Sequence, residues 1–357
     1  MFNEEEVRKS ATQLRKDIIN MISKSGSGHP GGSLSAADIM AVLFFGDVMR
    51  YSAANPQLPD RDRLILSKGH AAPVLYAALA RAGYFQPEEL GTLRQLGSRL
   101  QGHPDSQKLP GVEVSTGSLG QGLSIACGLA LALEAGGNDF AGVDEPGGND
   151  FAGVGEPCGV GFVGNAAGGD EAVGVVGGAD AVDAGVLGAA GGTTDVPKKS
   201  PLKSFSSNSR RVFVLLGDGE CQEGQVWEAV MFAAHKRLKN LIAIVDNNKL
   251  QIDGSVSAIC NLDNLNTKFS AFGWQVQEID GHDVNAIKLA LEYATNSEFE
   301  GPRVIIAHTI KGKGVSFMQG ECGWHGKAPS EEQRLAALAE LDDGSLISQS
   351  LTSGGTL

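Results

Sequence analysis

Apolar residues recur in two rhythms along this chain. Spacing of three and four over residues 4 to 24 predicts an amphipathic helix, and a second is predicted over 36 to 49, with Ile39, Val42, Leu43 and Val48 on its apolar positions. Ala/Leu-rich stretches at 71 to 82 and 120 to 134 read as helices, each opening just after a glycine-containing motif. Trp227, Met231, Ala234 and Leu238 carry helical spacing beyond Glu223. Between these lie unbroken β-branched runs, Val212-Phe213-Val214-Leu215-Leu216, Leu241-Ile242-Ala243-Ile244-Val245 and Val304-Ile305-Ile306-Ala307, which read as strands buried on both faces. Helix alternating with buried strand predicts an α/β fold, a parallel sheet flanked by helices.

Polar residues cluster where those strands end. The first run leads into Gly217-Asp218-Gly219-Glu220, and the second into Asp246-Asn247-Asn248, so thirty residues separate Asp218 from Asn248. The carboxyl edge of a parallel sheet is where such folds bind ligands. A carboxylate and an amide oxygen meeting there are hard ligands suited to Mg2+ held jointly with phosphates. Flanking glycines let the backbone come close to a diphosphate. The third run ends at His308-Thr309-Ile310-Lys311-Gly312. A helix begins just after His70 and another just after Gly117-Ser118-Leu119, where free N-H groups favour anions or polar cofactor atoms.

The pairing of a Gly-Asp-Gly with a downstream asparagine resembles the diphosphate-binding motif of thiamin-diphosphate enzymes. Ser27-Gly28-His29-Pro30-Gly31, Ser67-Lys68-Gly69-His70-Ala71, Gly102-His103-Pro104, Thr116-Gly117-Ser118-Leu119-Gly120 and Trp324-His325-Gly326 follow in the order seen in transketolases. The similarity covers residues 5 to 135 and 209 to 335. It is to the amino-terminal half of a transketolase, above all the form split into two polypeptides, and it implies the diphosphate-binding type of thiamin-diphosphate fold. By this resemblance Asp218, Asn248 and the Leu250 carbonyl hold the metal. Gly219 and Asn248 lie at the diphosphate, and Gly117, Ser118 and Leu119 contact the thiamin. Lys68 and Lys311 position cofactor or phosphate, and Glu223, grouped with the cofactor-facing residues, links paired active sites. His29, His70, His103 and His325 surround the reactive carbon and the substrate hydroxyls, His70 touching cofactor as well. His235, His282 and His308 are expected to be structural. Gly32 stands where some relatives have a serine, and Cys322 where some have a second histidine.

The implied activity is transfer of a two-carbon ketol unit between sugar phosphates, with thiamin diphosphate and Mg2+ or another divalent cation. The family's activating glutamate belongs to a second domain that this chain stops short of. A carboxyl-terminal partner chain is therefore expected, in an oligomer such as a heterotetramer. Another thiamin-dependent transferase or dehydrogenase chain, or a non-catalytic orphan half, remains the alternative.

Composition changes the picture at one place. Residues 136 to 208 open with an eleven-residue tandem repeat and run on in Gly, Ala, Val and Asp, with no Lys or Arg between Gly136 and Pro197. So glycine-rich a stretch costs much backbone entropy to order, and it reads as a flexible acidic insertion, with a Ca2+-binding solenoid or a docking arm as alternatives. The domain is then expected to comprise 1-135 and 209-335, followed by a helix end and tail at 336-357. The net charge of -13 and the lack of a basic patch argue against nucleic acid. No apolar run suits a membrane span and the first residues resemble no secretory signal, so a cytoplasmic protein is expected. Five cysteines, an odd number without a C-x-x-C pair, read as reduced thiols.

Overall fold

In the computed structural model, which describes residues 2 to 134 and 210 to 345, elements follow in the order α1 (Glu4–Ser25), α2 (Pro30–Ser35), α3 (Ala37–Phe45), β1 (Arg63–Leu66), α4 (Ala72–Arg81), α5 (Gln121–Glu134), β2 (Val212–Gly217), α6 (Gly224–His235), β3 (Leu241–Asn247), α7 (Val256–Cys260), α8 (Leu265–Ala271), β4 (Gln275–Asp280), α9 (Val284–Asn296), β5 (Arg303–His308) and α10 (Glu331–Asp343). The insertion predicted at 136 to 208 lies outside the described residues.

The five strands form one parallel sheet in the order β1-β2-β3-β5-β4. Alternation along each strand divides the core. Phe213, Leu215, Ile242, Ile244, Ile305 and Ala307 face the layer of α1, α3, α4 and α9. Val212, Val214, Leu216, Leu241, Ala243, Val245, Val304 and Ile306 face α5, α6 and α8. Strands covered on both sides can be continuously apolar, which is why the runs at 212, 241 and 304 were legible.

α1 begins where Asn3 Oδ1 accepts the Glu6 N-H at 3.3 Å and ends at Gly26, whose φ of 64° suits glycine. Its buried stripe includes Leu14 and Ile18, both at 0% exposure, each contributing about 1.5–3 kcal/mol by burial.

Three expectations need correction. The helix predicted to reach residue 49 stops at Phe45, because Gly46 caps it and Asp47 turns to a φ of 57°, so Val48 is buried from a loop. The stripe of α6 that meets the sheet is Val226, Ala229, Val230 and Ala233, whereas Met231 is 56% exposed and Leu238 follows the helix end. Strands β1 and β4 went unread: β1 has only four residues, and β4, at the sheet's edge, is polar and half-exposed.

Register aligns the strand ends. Gly217 pairs with Asp246, Asp246 with Ala307, and both Asn247 and Asp280 with His308. The loops leaving β2, β3, β4 and β5 therefore emerge side by side.

Candidate active site

Three imidazoles meet above that edge. The ring centroids of His29 and His70 are 5.4 Å apart, those of His29 and His325 5.4 Å, and those of His70 and His325 5.0 Å. They come from distant parts of the chain: His29 precedes α2, His70 lies in the turn leaving β1, and His325 follows the 3-10 turn Cys322–Trp324. Burial, then the charges of Arg94 and Lys311 among its neighbours, holds His29 down to about 4. Burial, then Lys311, does the same for His325, to about 4, and burial with Lys68 holds His70 to about 2. All three are thus neutral near pH 7, each able to donate one hydrogen bond and accept another. His103 is also lowered, by burial and then Arg94. Its ring lies against Gly117, where an added Cβ would stand 3.1 Å from His103 Cδ2. A Cβ on Gly69 would meet the Gly117 nitrogen at 2.8 Å, so the two motifs pack backbone to backbone. Ser118 and Leu119 complete the turn before α5, Ser118 exposed and Leu119 half-exposed.

Below the imidazoles lie the oxygen groups. Asp218 Oδ1 accepts the Gly219 N-H at 2.8 Å, and Oδ2 accepts the Lys249 N-H. Burial, then the neighbouring charge of Asp246, pushes Asp218 up to about 6. Asn248 donates from Nδ2 to Asp246 Oδ2 at 3.2 Å and accepts the Leu250 N-H on Oδ1 at 3.1 Å. Gly219 packs on Gln251, whose Cβ would lie 3.2 Å from an added Cβ. Lys311 Nζ donates to the Leu250 carbonyl at 3.0 Å and lies 2.9 Å from His325 Nδ1, which joins the oxygen groups to the imidazoles. Burial, then Lys68, holds the Lys311 ammonium down to about 8.

The structure gives Lys68 a more particular place than the sequence did. Its ammonium is buried, donating to the Gly32 carbonyl at 2.9 Å and to Asp246 Oδ2. A Cβ on Gly32 would stand 3.5 Å from His70 Nε2, an ordinary contact, so the position has room for a Cβ. Glu223 is exposed at the start of α6, against Gly120, where an added Cβ would meet its Cβ at 2.8 Å. His235 is exposed, His308 bonds Glu278 Oε2 at 2.8 Å, and His282 is buried in a polar cluster away from the three rings.

Three residues escaped the sequence reading. Asp246, fully buried, accepts from Lys68, Ser35, Thr309 and Asn248. Glu220, also buried, accepts from Ser67 Oγ and from the Gly120 and Gly217 N-H groups, both at 3.0 Å, and so ties three motifs together. Both stand in quoted motifs, Asp246 directly after an apolar run and Glu220 four residues beyond one, and that placement was the available signal. Arg94, with a φ of 58°, donates to Ser27 Oγ at 3.0 Å and reaches His29 Nδ1 at 3.4 Å. No sequence signal singled it out among the other arginines.

Residues 7–150 and 184–341 match the transketolase thiamine diphosphate binding domain. The chain belongs to this transketolase family. It is 36% identical over 337 residues to a 6-deoxy-6-sulfo-D-fructose transketolase subunit from Clostridium sp., covering 94% of this chain and 96% of the relative. It is 31% identical over 332 residues to an apulose-4-phosphate transketolase subunit from Phocaeicola vulgatus, covering 92% and 91%. The crystal structure of transketolase from Campylobacter jejuni superposes with a TM-score of 0.70 at 30% identity, covering 98% of this chain and 44% of that one. The chain thus spans under half of that transketolase and nearly all of the two subunits. Among the described residues no helix is long and apolar enough to cross a membrane.

Proposed function

We propose that this chain is the amino-terminal subunit of a two-chain transketolase, moving a two-carbon ketol unit between anionic sugars. The observation that carries the reading is the convergence of three neutral imidazoles on the sheet edge that presents Asp218 and Asn248. The near end-to-end match to two relatives called subunits supports the two-chain form.

The residues present fit a diphosphate with a divalent cation. Asp218, the Asn248 amide oxygen and the Leu250 carbonyl are hard oxygen donors of the kind Mg2+ takes. The raised Asp218 carboxyl lies close to a second carboxylate, and a cation would relieve that excess of negative charge. Among the described residues no group of three His, Cys, Asp or Glu competes as a metal site. Thiamin diphosphate, when bound, supplies a nucleophilic thiazolium carbon and an electron sink for C-C cleavage. In this reading Gly219 and Asn248 face the diphosphate, Gly117, Ser118 and Leu119 the thiamin, and Lys311 offers positive charge.

The chain's own part is proton handling and orientation. His29, His70 and His325, uncharged, can donate to a substrate carbonyl oxygen and accept from a hydroxyl, as cleavage and transfer both require. In this reading His103, packed against Gly117, bonds a substrate hydroxyl, and Arg94 holds the His29 ring. The partner would close the opposite side, with Glu223 at the interface.

The test is reconstitution. Mixed with a carboxyl-terminal transketolase chain, thiamin diphosphate and Mg2+, this chain should consume xylulose 5-phosphate in an aldose-phosphate-dependent way. A sulfonated ketose and an apulose phosphate run in parallel assign the substrate. Equal turnover by this chain alone would overturn the two-chain reading.

A further inference from the structure

A buried polar trio runs from α1 to the loop after β5, outside the site itself. Arg15, at 0% exposure, forks onto Asp38 of α3, with Nη1 to Oδ1 at 3.0 Å and Nη2 to Oδ2 at 2.5 Å. Asp38 Oδ2 is also 2.8 Å from His282 Nδ1. His282, in the turn after β4, accepts the Ile310 backbone N-H on Nε2 at 2.8 Å. With Nε2 accepting, Nδ1 is the ring atom that donates its N-H to Asp38. Arg15 Nε donates to the Lys313 carbonyl at 3.1 Å. The trio thus bonds the backbone on both sides of Lys311.

Stability alone does not account for such a group. Buried ion pairs return little net stability beyond what apolar side chains of the same volume would give. What they do give is direction, since each bond fixes a donor against an acceptor within a few tenths of an ångström. Lys311 needs that. Its ammonium meets both the Leu250 carbonyl and His325 Nδ1, and the next residue, Gly312, donates its N-H to the Gly31 carbonyl at 3.0 Å, so a shift of the loop by an ångström would break the link between the two halves of the site.

We propose that Arg15, Asp38 and His282 are positioning residues that hold the 310–313 backbone so that Lys311 stands between Leu250 and His325. The claim rests on the transketolase reading only for what Lys311 is held to do.

Two substitutions separate positioning from bulk stability. His282→Asn carries an amide to the Nδ1 position, keeping a donor for Asp38 but leaving the Ile310 N-H without an acceptor. His282→Gln carries an acceptor to the Nε2 position. On the full chain without cofactor, hydrogen exchange read by mass spectrometry should rise about tenfold or more for a peptide spanning 308–318 in the Asn variant. Peptides of α1 and α3, and the melting temperature, should stay near those of the parent, and the Gln variant should restore protection. In the reconstituted enzyme the Asn variant should raise the Kd for thiamin diphosphate about tenfold, and adding it to Lys311→Ala should change nothing further. Unchanged exchange at 308–318 would overturn the proposal. So would exchange raised equally across α1 and α3 with a lower melting temperature and no rescue by Gln. If the parent bound no thiamin diphosphate, the functional reading would fail while the exchange result still decided the positioning claim.

Discussion

Replacing Asp246 by alanine tests how much of the site's architecture hangs on one carboxylate. Asp246 is at 0% exposure and accepts from Lys68, from Ser35 Oγ at 2.6 Å, from Thr309 Oγ1 and from Asn248 Nδ2 at 3.2 Å. Ser35 keeps a second acceptor in the Gly32 carbonyl at 3.2 Å, so the chief loss is the ion pair. Lys68, at 1% exposure, would keep its bond to the Gly32 carbonyl but lose the carboxylate it bonds directly. Removing one partner of a buried pair costs about 3–5 kcal/mol. At a urea slope of about 3 kcal/mol per molar, the unfolding midpoint should fall by about 1–1.7 M. Tryptophan fluorescence in a urea series reads this directly. The double variant Lys68→Met/Asp246→Ala should recover part of the loss, because neither charge of the pair is left without the other, with a coupling of about 2–3 kcal/mol. Acid should act in the same direction. Burial alone would raise the Asp246 carboxyl, but the Lys68 charge and its hydrogen bonds outweigh that and lower it below 3.8. Its folded value being depressed, the stabilisation is complete above about 3.8 and is lost as pH falls further. A cost under about 1 kcal/mol for Asp246→Ala, or strict additivity in the double variant, would refute the argument.

Asp218→Ala should weaken thiamin diphosphate binding in the reconstituted enzyme by one to two orders of magnitude, which calorimetric titration at fixed Mg2+ measures; unchanged affinity would reduce Gly217-Asp218-Gly219 to a turn. His29 and His325 are held to about 4 against an ordinary 6.5, so the unfolded chain takes up protons first, and stability should be lost as pH falls from 6.5 towards 4. Urea midpoints across that range should slope less steeply in the His29→Gln/His325→Gln variant, and equal slopes would contradict the assigned burial effect. Arg210 Nη2 donates to the Leu133 carbonyl at 3.0 Å, so the chain leaves and re-enters the described fold at neighbouring points. Replacing residues 136 to 208 by a short Gly/Ser linker should therefore preserve the melting temperature and reconstituted activity, since loop closure changes by only about 0.6 kcal/mol per doubling of length. Loss of partner assembly in a chain that still folds would mark that segment as an interaction arm.

What the sequence by itself determined was local and periodic. Runs such as Val212–Leu216 and Leu241–Val245 announce strands covered on both faces, because only there can every residue be apolar. The Asp218, Asn248, His29, His70 and His325 motifs sit where an element begins or ends, and strand ends in a parallel sheet share one edge, whereas His103 lies in the long connection before α5. Tertiary structure decided the rest. Strand β4, half-exposed and polar at the sheet edge, carries too little periodicity to be read. Nothing in the local sequence says that Asp246 answers Lys68 from 178 positions away, or that Glu220 receives hydrogen bonds from Gly120. Such pairings follow from strand order and register, which bring β1, β2 and β3 side by side. Burial then makes them matter, because a charge withdrawn from water is held only by the particular partner that the fold supplies.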